Sequence, residues 1–110
     1  MPNVTIFAPA SYLEVDEARF DHFMRECTDA CTTVLRAELD KVHIIFVPTL
    51  PHFAGKDAYV EVKVRTSPHR TKEVMAEFMS AVEESFKRYF GRLPRIRCFA
   101  YSAENIFARN

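Results

Sequence analysis

Glycine is nearly absent, with two residues in a chain of 110, too few for a phosphate-cradling loop or a flexible linker. No apolar run approaches the ~20 residues that cross a membrane. The short apolar opening lacks the basic lead-in of a secretory signal. No membrane partner is therefore expected, and a cytoplasmic setting is. Charge of either sign is not in excess: 15 basic and 15 acidic side chains cancel. Nucleic-acid binding, which needs a basic surplus or patch, is not expected, and little colloidal repulsion opposes self-association. Cysteine is scarce and odd in number, at three, which fits reduced thiols better than a disulfide framework. What is plentiful is core material: 48% of residues are hydrophobic and ten are Phe. A single domain over residues 1–110 is the expectation for this length.

The chain reads as two similar halves, near 1–50 and 58–110. Val4, Ile6 and Phe7 mark a strand over 2–8, followed by a loop at Ala8-Pro9-Ala10-Ser11. Asp16 is a helix N-cap. From there Phe20, Phe23, Met24, Cys27, Ala30, Cys31, Val34 and Leu35 recur at helical spacing, and the helix is expected to end near Arg36-Ala37. Lys41–Val47 is a β-branched run stopped by Pro48, and 48–57 is a loop. Residues 59–65 alternate strictly as a strand. Ser67-Pro68 signals a second helix start. An apolar stripe from Val74 to Phe90 follows, closed by Gly91, with Glu83–Lys87 and Glu84–Arg88 as exposed i,i+4 pairs. Residues 95–101 alternate as a last strand, and 102–110 is a tail carrying Ile106-Phe107.

A helical crossover makes the two strands of each half parallel. The predicted class is α/β (α+β): two β-α-β units, a four-stranded mixed sheet and two helices on one face. Val4, Ile6, Val60, Val62, Val64, Ile96 and Cys98 line the covered face. The other face carries Thr5, His43, Glu61, Lys63, Arg65, Arg95 and Arg97 beside Phe7, Ile45, Val47 and Phe99. A face so mixed is expected to be enclosed by oligomerisation or to line a polar cavity.

Pro2 stands at the head of the first strand. With Met1 removed it would present a secondary amine, whose ordinary pKa of roughly 7.7–8.0 is pulled lower by burial or nearby cations. Such an amine is a base for α-proton abstraction or a nucleophile toward a carbonyl. The plain alternative is a proline starting an edge strand, where no donor is needed. Arg65 and Arg97 share the polar face, and Arg70 follows it; a guanidinium grips a carboxylate and stabilises an enolate. Surface or intersubunit salt bridges are the alternative for all three. Cys27 and Cys31, at i and i+4, could hold zinc, but both sit in the apolar stripe where free cysteine packs. No metal is expected. Of the histidines, His52 in the loop is the pocket candidate.

Met1-Pro2, the doubled β-α-β order, Arg70-Thr71-Lys72-Glu73, the turn His52-Phe53-Ala54-Gly55 and the Val-Glu-Val of residues 60–62 together resemble the tautomerase superfamily over nearly the whole chain. The resemblance implies a homotrimer with an N-terminal proline catalyst in each pocket, no cofactor and a small carboxylate substrate. It implies a carboxylate-binding role for Arg70, as in malonate-semialdehyde-decarboxylase-like members, and a water- or substrate-orienting role for Asp40. It places Arg36 near a pocket lysine of macrophage-migration-inhibitory-factor-like members. The chain departs from that group where Ser67-Pro68 replaces an Ile-Gly pair and Arg97-x-Phe99 replaces a Tyr-x-Asn pair. The expected function is proton transfer on a small oxo- or enol-carboxylic acid, with Pro2 as base, arginines on the anion and Phe53 or Tyr101 in the pocket wall. Decarboxylation or hydration is a near neighbour. A non-catalytic binding protein on the same fold and a ferredoxin-like ligand-binding domain are the rival classes.

Overall fold

The computed structural model describes residues 2–109. Four strands and two long helices follow in the order β1 (Asn3–Pro9), α1 (Glu17–Thr33), β2 (His43–Thr49), β3 (Tyr59–Arg65), α2 (Lys72–Phe90) and β4 (Arg95–Tyr101). Short 3₁₀ turns at Ala10–Glu14, Leu39–Lys41 and Ala103–Asn105 join or follow them. The strands form one sheet in the order β2-β1-β3-β4. The β1/β2 and β3/β4 pairs are parallel, and β1/β3 is antiparallel. Each helical crossover thus returns its second strand parallel to the first, and the two units meet at the sheet's centre. The expected α+β class, mixed sheet and one-sided helices are all present.

One face of the sheet is dry. Val4, Ile6, Val60, Val62 and Val64 are buried with Phe23, Cys27 and Cys31 of α1 and Phe78, Val82 and Phe86 of α2. Aromatic contacts knit the helices together: Phe23 meets Phe86 edge-on at 5.0 Å and Phe90 at 4.8 Å. Each such pair adds about 0.5–1.5 kcal/mol beyond its buried area, which is where the abundance of Phe takes effect.

The other face is uncovered in the single chain. Register puts Asn3 beside His43 and Lys63, Thr5 beside Ile45 and Glu61, and Phe7 beside Val47 and Tyr59. On β4, Arg95, Arg97, Phe99 and Tyr101 continue these rows. Ile45, Phe99 and Tyr101 are exposed there, so the mixed face expected from alternation is the one observed.

Boundaries differ from the sequence expectations where tertiary contacts intervene. Strand β1 runs one residue later than expected. β2 starts later too and continues through Pro48 to Thr49; it is an edge strand, where a missing N–H is tolerated. Helix α1 stops at Thr33, short of Arg36-Ala37. It unwinds through wide bonds, Leu35 N–H to Ala30 O at 3.4 Å and Ala37 N–H to Cys31 O at 3.1 Å. Helix α2 begins at Lys72 with Thr71 as N-cap, its hydroxyl accepting from Val74 N–H at 3.2 Å, instead of at Ser67-Pro68. Residues 67–71 form a turn whose side chains seal the end of α1. Gly91 closes α2 in the left-handed conformation, φ 68°, as expected for a C′ glycine.

The exposed i,i+4 pairing of Arg88 with Glu84 gives way to a cross-helix one. Arg88 and Tyr89 both donate to the Glu26 carboxylate of α1, and Ser85 Oγ donates to it at 2.8 Å. Burial alone would raise the pKa of Glu26. The hydrogen bonds from Tyr89, Ser85 and Arg88 outweigh it and hold the carboxyl below its ordinary value of 4.5. A lowered folded pKa means that this anion's contribution is present above pH 4.5 and is lost as the pH falls through the folded value. We expect E26Q to cost about 1 kcal/mol at pH 7, given the part-exposed site. It should also flatten the acid limb of stability against pH, read by urea denaturation at pH 3 to 7.

Candidate functional site

The first residues of β1 and β2, and the last of β3, lie side by side, because β1 is parallel to one neighbour and antiparallel to the other. Around this end of the sheet opens a cleft of ≈ 810 Å³. Asn3 and His43 form its floor. Arg36, Glu38, Asp40 and Lys41 approach from the connection after α1, Arg65 from the end of β3, and Arg70 from the turn before α2. Ile106, Phe107 and Ala108 of the tail complete the wall. Pro2 sits immediately before this floor. Its ring is under 2% exposed, and its carbonyl accepts from His43 N–H at 3.1 Å.

The cations of the cleft differ in how they are engaged. Arg70 Nε–H donates to Leu35 O at 3.2 Å and its Nη1 to Arg65 O at 2.7 Å. Beside it, His69 Nε2 lies 2.9 Å from Val34 O; a carbonyl only accepts, so Nε2 carries the proton. Among the described residues, the guanidinium groups of Arg36 and Arg65 have no hydrogen-bond or ion-pair partner. Arg36 has φ 55°, the one positive value at a non-glycine residue among those described.

The structure therefore brings together Arg36, Asp40, Arg65 and Arg70, with Pro2 adjoining through Asn3. It does not bring Phe53 or Arg97 to this cleft. Phe53, 56% exposed, is in the loop between β2 and β3, at the opposite end of the sheet, as is His52. Arg97 lies in mid-β4, paired in register with Glu61. Its Nη1 donates to the Ile96 carbonyl at 2.8 Å, and it lines a second cleft of ≈ 800 Å³ with Tyr59 and Arg95. Tyr101 is paired in register with Arg65 at the cleft end of the sheet, on the outer strand. Met1, whose removal the Pro2 chemistry requires, lies outside the described residues.

Lys41, His43, Glu38 and the tail residues Ile106 and Phe107 line the cleft without having been singled out. The signal for His43 was its place on the polar face at the start of β2, opposite Asn3. The signal for the tail was an apolar pair in an otherwise polar terminus.

No family model matches the sequence, and no curated protein does. Solved structures do. A macrophage migration inhibitory factor of Toxoplasma gondii is 21% identical, covering 92% of this chain and 89% of its own, with a TM-score of 0.66. A malonate semialdehyde decarboxylase is 14% identical over 98% of this chain and 92% of its own, TM-score 0.73. A fused 4-OT, described as a symmetric trimer, is 16% identical over 99% and 93%, TM-score 0.77. These neighbours belong to the tautomerase superfamily, and the chain has their fold. At such identities the likeness speaks for the fold alone.

None of the three cysteines lines the cleft. Burial pushes Cys27 and Cys31 up to about 12 and Cys98 up to about 11, so none is a thiolate near neutrality. We expect the folded protein to react with a disulfide thiol reagent at pH 8 at least tenfold more slowly than the urea-unfolded chain, on the order expected from thiolate fraction and access. All three thiols should become reactive on unfolding.

Proposed function

We propose that the chain is a proton-transfer enzyme of the tautomerase type, acting on a small oxo- or enol-carboxylic acid with the Pro2 amine as base. The observation that carries this is the cleft at the mouth of β1, where Arg36, Arg65, Arg70 and Asp40 converge beside the residue that follows Pro2. With Met1 removed, the amine would stand at the head of a central strand rather than on a mobile terminus. Burial and neighbouring guanidinium groups both disfavour its protonated form. A neutral secondary amine there takes the α-proton of a bound keto acid and returns it to the other position of the enol system.

Arginine does the electrostatic work in this scheme. The substrate carboxylate pairs with a guanidinium, and a second cation faces the oxygen on which negative charge develops. Charge is stabilised where it appears, and the cleft needs no cofactor for this reaction. Asp40 at the rim orients the leaving proton or a water. Decarboxylation and water addition draw on the same groups. We further infer a homotrimer: a neighbour of this fold is a symmetric trimer, and the open face carries exposed Ile45, Phe99 and Tyr101 among charges. In such an assembly Phe53 and Tyr101 would be wall residues supplied across a subunit boundary.

A non-catalytic binder on the same fold is the competing reading, favoured by the near-complete burial of Pro2. Intact mass is the first measurement, and loss of one methionine is the expected result; retention makes the Pro2 nitrogen an amide and removes the base. Next comes ketonisation of phenylenolpyruvate and 2-hydroxymuconate. P2A should lower kcat/KM by about 10²-fold or more, the ordinary contribution of a positioned base. Equal rates in wild type and P2A would remove Pro2 from the mechanism.

A further inference from the structure

We propose that Arg70 is a positioning residue, a clamp that holds Arg36 and Arg65 for the anion rather than a ligand of it. This rests on the cleft being the substrate site. The two acceptors of Arg70 carry the argument. One is the carbonyl of Arg65 itself, at 2.7 Å; the other is the carbonyl of Leu35, in the peptide that leads into Arg36, at 3.2 Å. One planar guanidinium thus joins the backbones of the two arginines whose own guanidinium groups have no partner among the described residues. With Nε–H committed to Leu35, Arg70 cannot offer a carboxylate the paired Nε and Nη2 face on which side-on bidentate recognition depends.

The same clamp accounts for the backbone at Arg36. A left-handed residue after a helix is usually glycine. Here it is an arginine at φ 55°, a conformation that costs a side-chain-bearing residue stability. The carbonyls that the unwinding end of α1 leaves over are taken up by His69 at Val34 O, 2.9 Å, and by Arg70 at Leu35 O, with a cation favourably placed at the helix C-terminus. Leu35 is 1% exposed, so the peptide before Arg36 is anchored in the core on one side and by Arg70 on the other. A strained residue held by over-determined surroundings, with its charge facing a cleft, is retained for what that charge does there. The displaced start of α2 has the same cause: residues 67–71 serve the end of α1 before the helix can begin.

Two experiments test the clamp. The first is R36G, a substitution that relieves the backbone and keeps the fold. Its Tm should rise by a few degrees while the affinity for malonate, used as a simple carboxylate probe in calorimetry, falls about tenfold or more. An unchanged or lowered Tm, or unchanged malonate binding, overturns the proposal. The second is a cycle over R70Q, R70K and R36Q, followed by malonate Kd and by KM against kcat. A clamp predicts that lysine, which keeps the charge but not the two-point geometry, fails to rescue. It also predicts that R70Q costs much less in an R36Q background than in wild type, with the loss in KM and Kd rather than kcat. Additive losses together with rescue by R70K would mean that Arg70 binds the anion directly. If wild type binds malonate but turns over no enol acid, the proton-transfer reading fails and the clamp is still decided by Kd. If wild type binds no malonate, the clamp fails on its own.

Discussion

The antiparallel pairing of β1 with β3 is the contact on which everything else depends. Val4 opposite Val62 and Ile6 opposite Val60 join the two β-α-β units, and these residues are buried almost completely beneath both helices. Because side chains alternate with period two, a slip of one residue would turn the valines to the open face and the charges into the core. The register that keeps Val60, Val62 and Val64 dry also sets Asn3 opposite Lys63 and brings the end of β3 beside the start of β1. The cleft is therefore a by-product of the core.

Among the described residues, that arrangement gathers charge without ion pairs inside the cleft. Its arginines come from three connections: the unwound end of α1, the end of β3 and the turn before α2. Leu35 anchors the first of them in the core, and Arg70 ties all three together through the carbonyls of Leu35 and Arg65. Arg70 and His69 are the junction of all three. Elsewhere the protein uses comparable devices. Glu26 gathers donors from Ser85, Arg88 and Tyr89 across the helix pair. At the far end of the sheet, Asp57 takes the Tyr12 hydroxyl at 2.8 Å and Arg92 at 3.1 Å, raising the phenol's pKa through burial and that bond. In each case one side chain ties together segments that are distant in the sequence.

The fold resembles that of an inhibitory factor and that of a decarboxylase. A shared fold does not by itself fix chemistry, which rests with the side chains that the fold displays. The arginines that line the cleft around β1 lie on connecting segments, apart from the buried valines. A cleft built in this way is separable from the core that supports it.

Local pattern alone determined the elements, their order and the covered face. Strand alternation over 59–65 and helical spacing from Phe20 to Leu35 are properties of neighbouring residues, and burial of the apolar side follows from them. The crossover rule then made the paired strands parallel. Which arginine is free, and where α2 starts, was decided only in the folded molecule. Arg70 meets Leu35 at a sequence separation of 35, and no local signal distinguishes a guanidinium tied to a distant carbonyl from one facing open space. Ser67-Pro68 is a sound helix start in isolation; it yields to Thr71 because His69 and Arg70 are drawn to the end of α1. Pro2 reads from sequence as a candidate base at the head of the first strand. The pairing of β1 with both β2 and β3 is what sets it beside a basic cleft.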